Sequence, residues 1–153
     1  MTRFSADTVA WGRKILLPIG NLAILDTSVY IENFRTGRFM LDLLRSPWIV
    51  RCSAVVLHEL RRGARSALEL QFVSDLAKRI RIITPIERHW LESAEILSRI
   101  GRKSGYDSTK LRELAFDVLI ALSAREIGAT LITCDRKDFS EIRKHKLFKV
   151  QYW

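Results

Sequence analysis

The chain reads as an α/β protein built on a mostly parallel sheet of four to five strands. Three observations predict this. Short apolar runs alternate with segments of helical periodicity along the chain, the order that builds strand–helix–strand units. Two of those runs, LAILD (22–26) and ATLITCD (129–135), end in an acid. Between the runs stand well-marked helix boundaries: Ser53, Gly63, Pro85 and Gly128.

Taken in order, residues 1–21 are mixed and form an N-terminal extension of open role, with one domain over 22–153. LAILD is a buried strand with Asp26 at its C-terminal end. TSVYIENF then opens a helix with Thr27 or Ser28 as its cap. MLDLLR (40–45) is helical, Ser46-Pro47 is a break, and WIVRC is the second strand. Ser53 caps a helical stretch that Gly63 splits in two, and RIITP is a third strand stopped by Pro85. Residues 87–100 are amphipathic, with Trp90, Leu91, Ala94, Ile96, Leu97 and Ile100 as the apolar face. GRKSGYDSTK (101–110) is a loop. LRELAFDVLIALSAREIG is a helix stopped by Gly128, ATLITCD the fourth strand, and KVQYW a candidate fifth.

Composition narrows the function. The net charge is +9 over 153 residues, which favours a polyanionic partner such as RNA. No run approaches the ~20 apolar residues that span a bilayer, and no export signal is legible. Cys52 and Cys134 are too few and too far apart for a disulfide scaffold or a zinc site, so they read as buried thiols in a reduced, cytoplasmic setting. His58-Glu59 lacks the second histidine of a zinc-protease helix, since position 62 is Arg62. His58, His89 and His145 have no metal spacing, and no phosphate-binding glycine loop is present.

Four carboxylates then call for explanation. Asp117 stands among Leu114, Ala115, Phe116, Val118, Leu119 and Ile120, where an ionised group needs a compensating partner. Glu59 shares a helix face with Val55, Val56 and Gly63, although an ion pair with Arg62 is its plain structural use. Asp26 could cap the following helix, and Asp135 could be a turn residue in CDRKD. Together the four suggest a pocket whose mutual repulsion a hard divalent cation relieves. Such a cation suits phosphodiester hydrolysis.

These segments resemble the PIN-domain nucleases, especially the VapC-like ribonuclease toxins of toxin–antitoxin pairs. The carriers are ILDTSVYI, SAVVLHELRRG and FDVLIALSAREIGATLITCDRKDF. The resemblance implies a three-layer α/β/α sandwich and an endoribonuclease using Mg²⁺ or Mn²⁺, one ion or two. It implies Asp26, Glu59, Asp117 and Asp135 as catalytic and metal-holding acids, with Ser28 and Thr133 as supporting hydroxyls. Asp138 falls on a more peripheral acid. It further implies a homodimer and an antitoxin partner that blocks the site. Arg61, Arg62, Arg35 and Arg38 are the candidate RNA contacts, while Lys110 and other cations fit a solvated face. Trp90 and Phe116 read as core. The chain departs from the family in its ~20 leading residues and in Ala121-Leu122, bulkier than the usual small pair. The alternative function is a non-catalytic PIN-like RNA-binding or regulatory module. A structure-specific DNA nuclease is a third, for which the chain is short.

Overall fold

The computed structural model describes residues 21–153, so the N-terminal extension, apart from Asn21, lies outside the described residues. The elements run β1 (Leu22–Leu25), α1 (Thr27–Thr36), α2 (Met40–Arg45), β2 (Ile49–Ser53), α3 (Ala54–Gly63), α4 (Ala67–Arg79), β3 (Ile82–Ile83), α5 (Glu87–Ser104), α6 (Ser108–Glu126), β4 (Thr130–Thr133), α7 (Arg136–Arg143) and β5 (Val150–Tyr152). The sheet order is β3-β2-β1-β4-β5, and every pairing is parallel. Leu22 pairs with Ile49, and Ala23 with Thr130. This is the expected α/β fold with five strands. Because the chain leaves β1 for one side of the sheet and later returns to its other side, β1 and β4 form a switch point.

Central position explains the composition of β1 and β4. Ala23, Ile24, Leu25, Leu131 and Ile132 are all buried, as strands covered on both faces require. Helix α6 is buried almost continuously from Val118 to Ala124. Its many apolar residues therefore form no single stripe. It packs on α5 so closely that a Cβ at Gly101 would meet Leu111 Cδ1 at 3.0 Å. Gly128 takes φ 67°, a left-handed conformation suited to glycine, two residues before β4.

Four local expectations need correction. The cap of α1 is Asp26, not Thr27 or Ser28; its side chain accepts from the Ser28 amide. Helix α5 continues through Gly101 to Ser104, and Asp107 restarts the chain as the cap of α6, so the loop shrinks to three residues (105–107). The buried stripe of α5 is His89, Ser93, Ile96 and Ile100. Trp90, Leu91 and Ala94 fall off that i, i+4 line and are exposed, Trp90 by 54%. Helix α7 is a short amphipathic element anchored only by Phe139 and Ile142, too few apolar residues to signal itself in the sequence. Ser53 does cap α3, and Gly63 ends it. Both cysteines are free, Cys52 buried and Cys134 half-buried. Phe116 is half-buried. Among the described residues no helix is long and apolar enough to cross a membrane.

Candidate metal centre at the sheet edge

Asp26 ends the central strand and is 4% exposed. Its amide donates to Ile132 O at 2.8 Å, which ties it to β4. Its Oδ2 accepts from Ser28 Oγ at 2.7 Å and from Thr133 Oγ1 at 2.9 Å. Each hydroxyl is itself an acceptor: Cys134 N donates to Ser28 Oγ at 3.1 Å, and Asp135 N to Thr133 Oγ1 at 2.9 Å. Both hydroxyl protons are thus committed to one carboxylate, and the two strand ends are held together through it. Burial pushes the Asp26 carboxyl above its ordinary value, and the Ser28 and Thr133 hydroxyls partly offset that.

Glu59 reaches the same edge from α3. It accepts from Thr27 Oγ1 at 2.9 Å. The alternative pairing with Arg62 makes no close ion pair; the Arg62 guanidinium stands 5.9 Å from the centre of the Phe116 ring and lowers the Glu59 carboxyl only through charge. Burial raises the Glu59 carboxyl, Thr27 lowers it, and the Asp26 charge raises it again.

Asp117 lies on the inner side of α6, half-buried. Its carboxyl is pushed up to about 9, first by burial and then by Asp26, Glu59, Asp135 and Asp138. Among the described residues no hydrogen bond compensates it. Asp135 caps α7, its Oδ1 accepting from Asp138 N at 3.0 Å. Asp117, Asp135 and Asp138 each offer an oxygen, and these lie within 4.8 Å of one another. The other three predicted acids therefore all act on Asp117, while the tight trio contains Asp138, which the sequence put at the periphery. Asp26 and Glu59 stand outside that trio and bear on Asp117 through charge.

Sequence reasoning also missed Thr27, read only as a cap, and Lys110, whose Nζ contacts Asp138 Oδ1 and Oδ2 at 3.1 and 3.0 Å. Twenty-eight residues separate that pair, and no local pattern announces it. Arg61, Arg62, Arg35 and Arg38 are exposed. Arg38 lies 3.8 Å from Glu32 and over the Phe39 ring. Arg35 borders a groove lined by Tyr30, Ile31, Phe34, Leu60 and Phe72, with Glu59 in its wall.

The donors are wholly oxygen, the chemistry that suits Mg²⁺ or Mn²⁺. Burial first and the neighbouring anions second push the Asp117 carboxyl up, and a divalent cation would relieve the anionic repulsion. The residues therefore fit a hard metal ion.

A parallel sheet with a carboxylate pocket at its switch point defines an α/β protein built to gather anionic oxygens at one strand edge. A family model for the PIN domain matches residues 23–145, and the chain belongs to that family. No curated protein matches it in sequence. Several solved structures share the fold. A chain of VapBC2 from Rickettsia felis bound to a promoter DNA fragment is 22% identical, with TM-score 0.64, covering 86% of this chain and 98% of that one. A chain of VapBC-1 from nontypeable Haemophilus influenzae is 20% identical, with TM-score 0.63 and coverage of 86% and 98%. A chain of FitAcB from Neisseria gonorrhoeae is 23% identical, with TM-score 0.59 and coverage of 84% and 95%.

Proposed function

We propose that the chain is a Mg²⁺- or Mn²⁺-dependent endoribonuclease and the toxin of a toxin–antitoxin pair. The observation that carries this reading is the convergence of Asp117, Asp135 and Asp138, whose oxygens lie within 4.8 Å of one another, with burial and the surrounding carboxylates pushing the Asp117 carboxyl up. A bound divalent ion would supply an activated water and stabilise charge on the attacked phosphate. Asp117 and Asp135 would hold it, with Asp26 and Glu59 completing the anionic wall. Ser28 and Thr133 keep Asp26 oriented by donating to one of its oxygens. Arg61 and Arg62, exposed at the end of α3 beside Glu59, would hold the RNA backbone.

RNA is favoured by the +9 charge. The solved relatives of the same fold include toxin–antitoxin complexes, which supports a cognate antitoxin. The apolar groove beside Glu59 suits such a partner. A homodimer and a cytoplasmic site of action complete the reading.

The test is cleavage of RNA with Mg²⁺ or Mn²⁺ by the wild type, Asp26→Ala and Asp117→Ala, with an EDTA control. Cleavage by the wild type alone, lost with EDTA, is expected. Equal cleavage by all three proteins would sink the proposal. Metal-independent RNA binding that survives Asp117→Asn, with no cleavage by any protein, would favour a non-catalytic module.

A further inference from the structure

Lys110 has no part in the site as proposed, yet its ammonium lies within the acid cluster. It contacts both oxygens of Asp138, one of the three aspartates whose oxygens lie within 4.8 Å. The contact is held from both ends. Lys110 N donates to Asp107 Oδ1 at 2.9 Å in the first turn of α6, and Asp138 N donates to Asp135 Oδ1 at 3.0 Å in the first turn of α7. The lysine side chain is 29% exposed and that of Asp138 15%, so water screens the pair only in part. Glu113, the other acid near the ammonium, is 3.9 Å away and largely exposed.

We infer that Lys110 takes the place of a second divalent ion, so that the pocket accepts one metal and not two. This rests on the metal-dependent reading above. The physical reason is charge. With Asp138 neutralised in place by Lys110, two free acids remain in the tight trio, Asp117 and Asp135, and one divalent ion offsets both. A second would have to enter beside a fixed ammonium and compete with it for the Asp138 oxygens. At a few ångströms, near a protein surface, repulsion between a monovalent and a divalent cation changes affinity by much more than tenfold. Lys110 is therefore a positioning residue: it fixes Asp138 and sets the metal count without touching substrate.

Mn²⁺ binding to the wild-type chain, read from the electron paramagnetic resonance signal of the unbound ion, tests this without any assay of cleavage. One Mn²⁺ per chain is expected for the wild type and for Lys110→Arg, which keeps the charge. Lys110→Met should take two, the second bound at least about tenfold more tightly than any second ion of the wild type. Lys110→Gln serves as a second neutral variant, and thermal melting checks that each is folded. Two ions on the wild type, or a single ion on both neutral variants, would overturn the role given to Lys110 and leave the metal site standing. No ion on the wild type would overturn the metal site and this inference with it.

Discussion

Asp117→Asn should stabilise the metal-free protein, although it removes a residue of the proposed centre. In the folded chain Asp117 titrates at about 9, against 3.8 for an unperturbed aspartate. Its folded value is raised, so its contribution to stability is complete below about pH 4 and is lost as pH rises toward about 9. At pH 7 folding must protonate a group that the unfolded chain leaves ionised, which costs about 4 kcal/mol. Asparagine has no such penalty at any pH. Its half-buried amide loses part of its hydration, which costs up to about 1–3 kcal/mol. The difference leaves roughly 1–3 kcal/mol in favour of the variant. At about 2–4 °C per kcal/mol for a domain of this size, its melting point in EDTA at pH 7 should stand roughly 2–12 °C above wild type. The gain should shrink toward pH 4. Saturating Mn²⁺ should reverse the order, since an ion at a hundred times its dissociation constant adds about 2.7 kcal/mol to the form that binds it. Calorimetry or circular dichroism with EDTA and with Mn²⁺, at pH 4 and pH 7, measures all of this. A variant that melts at or below wild type in EDTA at pH 7, or a gap equal at both pH values, would refute the account of Asp117 as an electrostatically frustrated group.

Thr133→Val keeps the shape of a buried side chain but removes a donor to Asp26 and the acceptor for the Asp135 amide. It should cost about 1–3 kcal/mol in thermal melting and weaken Mn²⁺ binding by about 10–100-fold; unchanged Mn²⁺ affinity would remove Thr133 from the support of the centre. Replacing Arg61 and Arg62 together by glutamine, in the Asp117→Asn background to prevent cleavage, should lower the slope of log affinity for single-stranded RNA against log salt by about 1.4. An unchanged slope would mean that neither arginine contacts phosphate.

The parts legible in the sequence were those in which burial and chemistry share one short segment. The 22–26 and 129–135 runs announced both their strands and the acids that end them. Asp117 stood out because a carboxylate within an apolar helix needs a reason. What escaped notice depended on distance or on weak local pattern. Lys110 meets Asp138 only because the first turns of α6 and α7 adjoin at the sheet edge. For Glu59 the sequence offered only Arg62 at i+3 as a structural partner, but the fold supplies Thr27 from another helix. Gly101 looked like the start of a loop, whereas its missing side chain makes room for Leu111 where α5 and α6 pack. Trp90 and Leu91 looked like core because they are apolar, yet the inward line of α5 runs through His89 and Ser93. The leading residues stay an expectation, outside what the structure describes.

The strand order has a consequence for how the protein is made. β1, β2 and β3 can pair while a nascent chain is still emerging, and by then it carries only Asp26 and Glu59. The hydroxyl of Thr133, 107 residues after the carboxylate it supports, must be translated before β4 can close against β1. Contacts so distant in sequence are late to form. A growing polypeptide therefore holds its carboxylate pocket in two halves until β4 has been made. The order of the strands delays assembly of the acid cluster until synthesis of the chain is nearly complete.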